Sequence, residues 1–250
     1  MNTSWGGVVD WYDAHLRGEG TYHETVLAPN ILRLLDMSVN TTVLDVACGT
    51  GYFTRLISPH VARITGTDIG EELIAKAQEH PLHNATFLAT PAETLAGVEG
   101  TFSRALCVVA LQNIKNVRAV ADAVYARLTP EGTWLVVLNH PAFRIPGASS
   151  WQFDEAQKTQ FRRVDAYMSE REQKIDMTPG ITNPKDKNYT VSFHRPLQEF
   201  VKIFTNAGFS ITRLEEWVSP KSSQKGPRKD AEDRARKEFP LFLAIVLSKK

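Results

Sequence analysis

Val-Leu-Asp-Val-Ala-Cys-Gly-Thr-Gly-Tyr-Phe-Thr, residues Val43 to Thr54, decides how the chain is read. Val43, Leu44 and Val46 form an apolar β-run with one carboxylate, Asp45, near its end. Gly49-Thr50-Gly51 makes a tight turn, after which Phe53, Leu56 and Ile57 fall on one face of a helix. A strand that breaks into glycines and re-enters as a helix brings bare backbone N–H groups and a helix N-terminus against a ligand.

The flanking residues choose the ligand. A dinucleotide fold places a third glycine three residues after the second, to pack helix on strand beside a pyrophosphate. Position 54 is Thr54 instead. Asp45 repels a pyrophosphate and suits a cationic ligand. The pattern D-x-x-x-G-x-G in this strand–turn–helix context resembles the first motif of class I S-adenosylmethionine-dependent methyltransferases, of the small-molecule, UbiE-like type. That resemblance implies S-adenosyl-L-methionine as cofactor, held by Asp45, Ala47, Gly49 and Gly51. It also implies a Rossmann-like α/β fold with helices on both faces of a seven-stranded sheet. The implied strand order is 3-2-1-4-5-7-6, with the last strand antiparallel.

Composition agrees with one domain. The chain has 250 residues, 42% of them hydrophobic, enough for a single substantial α/β core carrying a cap and a lid. A net charge of +1 argues neither for nucleic acid nor against it. The two cysteines read as buried thiols of a reducing compartment. The N-terminus lacks the basic region and apolar core of a signal peptide. No apolar run approaches the about 20 residues that span a bilayer. A cytoplasmic protein without a membrane segment is expected. No His, Cys or carboxylate grouping has ligand spacing, so no metal is expected.

Residues 1–40 precede the first strand, with a helical pattern from about Glu24 to Leu35. In the family this region resembles, such helices cap the cofactor cleft. Tyr12, Tyr22 and His23 then face cofactor or substrate, or else pack within the cap. The second strand, Ala62 to Asp68, ends on an acid 17 residues beyond Gly51. An acid there accepts hydrogen bonds from both ribose hydroxyls, and Ile69 can lie on the adenine face. A helix follows over Glu71 to Glu79, then a third strand over Ala85 to Ala89. The next loop has Pro91 where many relatives carry an Asp. Adenine recognition falls to Ala92 and Glu93, or Glu93 is a solvated loop acid.

The fourth strand is read as Phe102 to Leu111, its apolar run typical of a central parallel strand covered on both faces. Leu111 is assigned to the cofactor, and Gln112 and Asn113 are set at the strand's carboxyl end, where ligands of such sheets bind. They orient the acceptor, or Asn113 caps the helix Val117 to Leu128. The fifth strand, Thr133 to Asn139, delivers His140, the best-placed general base, since its ordinary pKa lies near neutrality. The competing reading is a histidine that only hydrogen-bonds backbone.

Residues 142–194 are a lid insertion, with Phe161, Val164 and Met168 spaced for one face of a helix within Trp151 to Ile175. A Pro/Gly/Asn-rich loop, Thr178 to Asn188, follows. Arg144, Trp151, Tyr167 and His194 are the lid's candidates for substrate contact. Pro196 to Ala207 reads as a helix, Phe209 to Val218 as the sixth strand and Leu241 to Leu247 as the seventh. Between these two strands, residues 219–240 form a charged excursion, solvated by default or a phosphate-contacting patch.

The implied reaction is in-line methyl transfer to a small-molecule acceptor. An RNA or protein acceptor using the 219–240 segment is the lesser alternative, and a non-catalytic cofactor-binding module the second. The acceptor, the atom methylated and the oligomeric state are not legible at this level.

Overall fold

The computed structural model describes residues 9, 18–177, 183 and 187–250. A wide π-type turn, His23–Leu27, runs into α1 (Ala28–Leu35). Pro29, lacking an N–H, is tolerated only in a helix's first turn, so a regular helix can begin no earlier than just before it. Then come β1 (Thr42–Val46), α2 (Tyr52–Ile57), β2 (Arg63–Asp68), α3 (Glu71–Gln78) and β3 (Ala85–Ala89). β4 (Phe102–Val108), α4 (Val117–Arg127) and β5 (Leu128–Asn139) complete the repeating βα half. After an insertion, α5 (Leu197–Asn206), β10 (Phe209–Trp217), α6 (Lys229–Glu238) and β11 (Phe242–Lys249) close the chain.

Seven strands form one sheet in the order β10-β11-β5-β4-β1-β2-β3. β11 runs antiparallel to both β5 and β10, and the remaining pairs are parallel. In order of appearance these sheet strands read 3-2-1-4-5-7-6 from the β3 edge, as the first motif implies.

Alternation along the central strands fills two apolar layers. Leu44, Trp134, Val136 and Leu138 face α4 and α5, where Val120, Val124 and Phe204 are buried. Val43, Leu135 and Val137 face α1 and α2, against Leu27, Ile31 and Ile57. Burial on both faces explains the near-continuous apolar runs of β4 and β5.

The insertion corrects one expectation. Residues 149–164 are not helical: β6 (Ser149–Asp154) pairs antiparallel with β7 (Thr159–Val164). A second hairpin pairs β8 (Arg171–Asp176) with β9 (Tyr189–His194). Phe161 and Met168, expected on one face of a helix, are 44% and 59% exposed. Asp154 turns the first hairpin by accepting from the N–H groups of Ala156 and Gln157, a side-chain mimic of a backbone turn. Most of the Thr178–Asn188 loop lies outside the described residues.

Further boundaries move, and β5 begins at Leu128 rather than Thr133. β4 ends at Val108, and Leu111–Asn113 forms a single 3-10 turn. The 219–240 excursion contains α6, whose Ala231 and Ala235 are buried and which packs on β7.

Candidate active site

At the carboxyl ends of β1, β2 and β4 lies a cavity of about 410 Å³. The first motif supplies its floor. Ala47, just past β1, has φ +57°, and Val109, just past β4, has φ +52°. Left-handed backbone is costly for a residue with a Cβ, and more so for a β-branched one. Both lie at strand ends where the chain must turn sharply away from the ligand space. Val109 is held there by its N–H, which donates to Val137 O at 2.7 Å.

Asp45, Ala47, Gly49, Asp68, Ile69, Ala92, Glu93, Asn113 and His23 all line this cavity. The Asp68 carboxylate accepts from Gly49 N at 3.0 Å and from Gly70 N at 2.8 Å, so it fixes the glycine turn as well as facing the cavity. Burial pushes its pKa up against the pull of those backbone donors. Asp45 is 2% exposed and accepts from Thr54 Oγ1 at 2.6 Å. Its pKa is pushed up to about 7, chiefly by burial and further by the Asp68 charge. Thr54, standing where a dinucleotide fold has glycine, thus partners the motif's acid.

Other predicted residues lie elsewhere. Gly51 does not line the cavity. With φ +80°, and with a Cβ that would come 2.9 Å from Phe87 Cε1, its role is the turn and the packing beneath it. Leu111 was expected at the cofactor; β4 ends earlier, and its side chain is buried in the core with Leu138 and Phe200. Tyr22 bonds Ser219 Oγ through its hydroxyl at 3.0 Å and carries Lys221 Nζ 4.6 Å over its ring, outside the cavity. Tyr12 lies outside the described residues.

His140, the expected general base, does not line the cavity. Its Nε2–H donates to Glu216 Oε1 at 2.7 Å, while its Nδ1 accepts from Ala142 N–H at 3.2 Å. Both ring nitrogens are spent, and the imidazole is held neutral with its proton on Nε2. Burial lowers its pKa despite Glu216. Its ring stacks on Phe143, 4.7 Å away between centroids.

Gln112, Arg144 and His194 border a separate space of about 30 Å³. Gln112 Nε2 donates to Val109 O at 2.7 Å, bracing the strained turn. Arg144 donates to Asn139 Oδ1 and lies over Phe242. His194 bonds Tyr167 O at 2.7 Å, and Tyr167's hydroxyl accepts from Leu197 N at 2.9 Å, so both residues brace the base of the insertion. Trp151 packs on Phe239 and under Arg162, away from the cavity. The cap of α4 is Asn116, whose side chain accepts from Ala119 N at 3.1 Å, which leaves Asn113 at the cavity wall.

Sequence reasoning missed the wall built by Thr190, Val191 and Phe193 of β9. Its signal was the alternating Tyr189–His194 run, a period-2 pattern. It also missed Tyr52 and Phe53, which pack edge-on at 5.0 Å with the His23 ring beside both.

The charged excursion is partly paired, within itself and to the first hairpin. Lys229 bonds Asp233 at 2.7 Å, Arg228 pairs with Glu155, and Arg236 donates to Ser223 Oγ. Among the described residues no group of three or more His, Cys, Asp or Glu side chains gathers as a metal site, and no helix is long and apolar enough to cross a membrane.

Comparison with known proteins agrees with this geometry. Residues 43–132 match the family described as Methyltransferase domain. YqeM of Bacillus subtilis, named as a methyltransferase, is 24% identical over 69% of this chain and 74% of its own. A ubiquinone biosynthesis O-methyltransferase of Psychrobacter arcticus is 30% identical over 36% of this chain, so the match spans little more than a third of that enzyme's length (37%). In fold, the chain is similar to an S-adenosylmethionine-dependent methyltransferase from Mesorhizobium loti, with a TM-score of 0.71 and 21% identity, over 92% of this chain and all of that one. The cavity's chemistry fits that cofactor, with a buried acid for a cation and a second acid at the end of β2 for a diol. Residues 43–132 thus carry a methyltransferase domain, and the chain has the fold of S-adenosylmethionine-dependent methyltransferases.

Proposed function

We propose that this enzyme methylates a small molecule by in-line displacement within the cavity that the β8–β9 hairpin walls off. The observation that carries the reading is the enclosure itself. About 410 Å³ lies between the strand ends and Thr190, Val191 and Phe193. A cavity of that volume suits a cofactor and a compact acceptor better than a folded RNA or protein.

Bound S-adenosylmethionine supplies a methyl group activated by the sulfonium charge. The chain's own residues do the rest by alignment and exclusion of water. Asp68 accepts the ribose hydroxyls, Ile69 lies on the adenine face, and Ala92 with Glu93 meets the adenine edge. Asp45, Ala47 and Gly49 form the cationic end of the site. Asn113 and His23, both at the cavity, orient the acceptor, and β9 with residues 142–194 acts as the lid. His140, both nitrogens occupied, is a structural residue in this reading.

The RNA reading rested on the basic residues of 219–240. Arg228 and Lys229, two of that patch's seven basic residues, are paired with acids. The neighbour resemblance to ubiquinone O-methyltransferases favours a small acceptor, and a single domain working in the cytoplasm fits the same picture.

The test is transfer of labelled methyl from S-adenosylmethionine into a cell extract separated into small-molecule, RNA and protein fractions. Label in the small-molecule fraction supports the proposal. Label confined to RNA or protein overturns it.

A further inference from the structure

Lys115 is the one lysine or arginine among the described residues lining the cavity. Its neighbours on the cofactor side, Asp45, Asp68 and Glu93, are acids. Elsewhere in the fold lysines are engaged: Lys187 on Asp176, Lys229 on Asp233, Lys249 on the carbonyls of Tyr125 and Leu128. Lys115 Nζ has no hydrogen bond or ion pair among the described residues, and only its backbone carbonyl is bonded.

That carbonyl is bonded by an unusual partner. Arg195, 7% exposed, donates from Nη2 to Lys115 O at 2.6 Å and to Ile114 O at 3.1 Å. Its remaining hydrogen bond, Nη1 to Phe193 O, is again to a carbonyl, and among the described residues no carboxylate bonds it. Burying a guanidinium is costly unless its donors are used. Here they fasten the Ile114–Lys115 peptide to the end of β9, whose Phe193 forms the opposite wall. The chain thus fixes the loop that carries Lys115 at the cavity while leaving the lysine's charge unspent.

We propose that Lys115 receives an anionic group, a carboxylate or a phosphate, on the methyl acceptor, and that Arg195 is the positioning residue that sets the lysine's loop. The proposal rests on the small-molecule reading above and narrows it to acceptors with an apolar body and one anionic end. Tyr52, Phe53 and Phe193 supply the apolar walls.

The test uses the full chain saturated with S-adenosylhomocysteine, titrated calorimetrically with benzoate, phenyl phosphate and neutral methyl benzoate. At least one anion is expected to bind about tenfold tighter than methyl benzoate, and the better anion separates carboxylate from phosphate. Lys115→Gln is expected to abolish the preference, Lys115→Arg to keep it, and neither to change S-adenosylhomocysteine affinity. Arg195→Gln weakens anion binding too, but its loss does not add to that of Lys115→Gln, as expected when one residue acts through the other. Additive losses reduce Arg195 to a fold-stabilising role. Equal binding of methyl benzoate, no binding of either anion, or a preference untouched by Lys115→Gln overturns the proposal. A lysine-dependent anion preference alongside label found only in RNA or protein would sink the small-molecule reading while leaving the anion site standing.

Discussion

The parallel half of the sheet and the insertion that covers it obey different rules. Each strand of β1, β2, β4 and β5 is pressed between helices, so its side chains have little freedom of type. β1 holds Val43, Leu44 and Val46 almost wholly buried, and β5 runs buried from Trp134 to Leu138. The hairpins β6–β7 and β8–β9 are covered on one face at most, and β7 alternates exposed and half-buried residues along its whole length. Constraint from both sides fixes the cofactor end of the site. Constraint from one side leaves the acceptor end open to variation.

Asp68 gives the largest expected effect and tests the constrained half directly. Asp68→Asn is expected to weaken S-adenosylmethionine binding at least about a hundredfold, because two hydrogen bonds to a charged group are worth about 1.5–3 kcal/mol each. Calorimetry that finds affinity within about threefold of the parent would place the ribose elsewhere.

His140 sits at the seam between the halves. His140→Ala is expected to cost about 2 kcal/mol of stability by removing a buried ring and leaving the Ala142 N–H without its acceptor, while the half-exposed Glu216 carboxylate turns to water. That lowers Tm by several degrees, at about 2–4 °C per kcal/mol for a chain of this size. With saturating cofactor, methyl transfer at a temperature where both proteins are folded should be unaltered. A rate loss of tenfold or more under those conditions would return His140 to the chemistry.

Asp45 predicts a pH effect of intermediate size. With its pKa raised to about 7, the carboxyl is largely protonated at pH 6 and ionised at pH 8. A cationic ligand favours the ionised form, so binding expels the proton below pH 7. Affinity for S-adenosylmethionine should therefore rise about tenfold per pH unit well below 7 and level off above it. Asp45→Asn should flatten the profile, and a profile that keeps its slope in this variant would assign the titration to another group.

These contrasts explain what could be read in advance. Asp45, Gly49 and Asp68 are legible because each is set by backbone geometry at a strand end, and strand ends follow from apolar runs. Gly51 and Leu111 show where that reasoning slips. A few residues past a strand end, a residue meets core or ligand according to a single turn, and β4 turns at Val109, two residues before Leu111. The insertion was harder for a different reason. Phe161, Val164 and Met168 match a helical spacing by position alone, but β6 and β7 are fixed by the Asp154 turn and by docking on α6, whose Phe239 neighbour meets Trp151. Arg195 was invisible because its partners are backbone carbonyls 80 and 81 residues away.

The smallest effect offers the sharpest separation of the two regions. Trp151 packs on Phe239 and beneath Arg162, yet it is 40% exposed, so its contacts are partly solvated already. Trp151→Ala should cost about 1 kcal/mol, the scale of an exposed cation–π pair plus a half-buried aromatic contact. Tm should fall by about 2–4 °C, and cofactor affinity should not move, since Trp151, Phe239 and Arg162 all lie outside the cavity lining. The β6–β7 hairpin and α6 would then behave as an outer layer, coupled to stability but not to the cofactor end. If calorimetry instead finds S-adenosylmethionine binding weakened severalfold, the outer hairpin moves with the inner one, and the whole of residues 142–194 acts as one lid over the cavity.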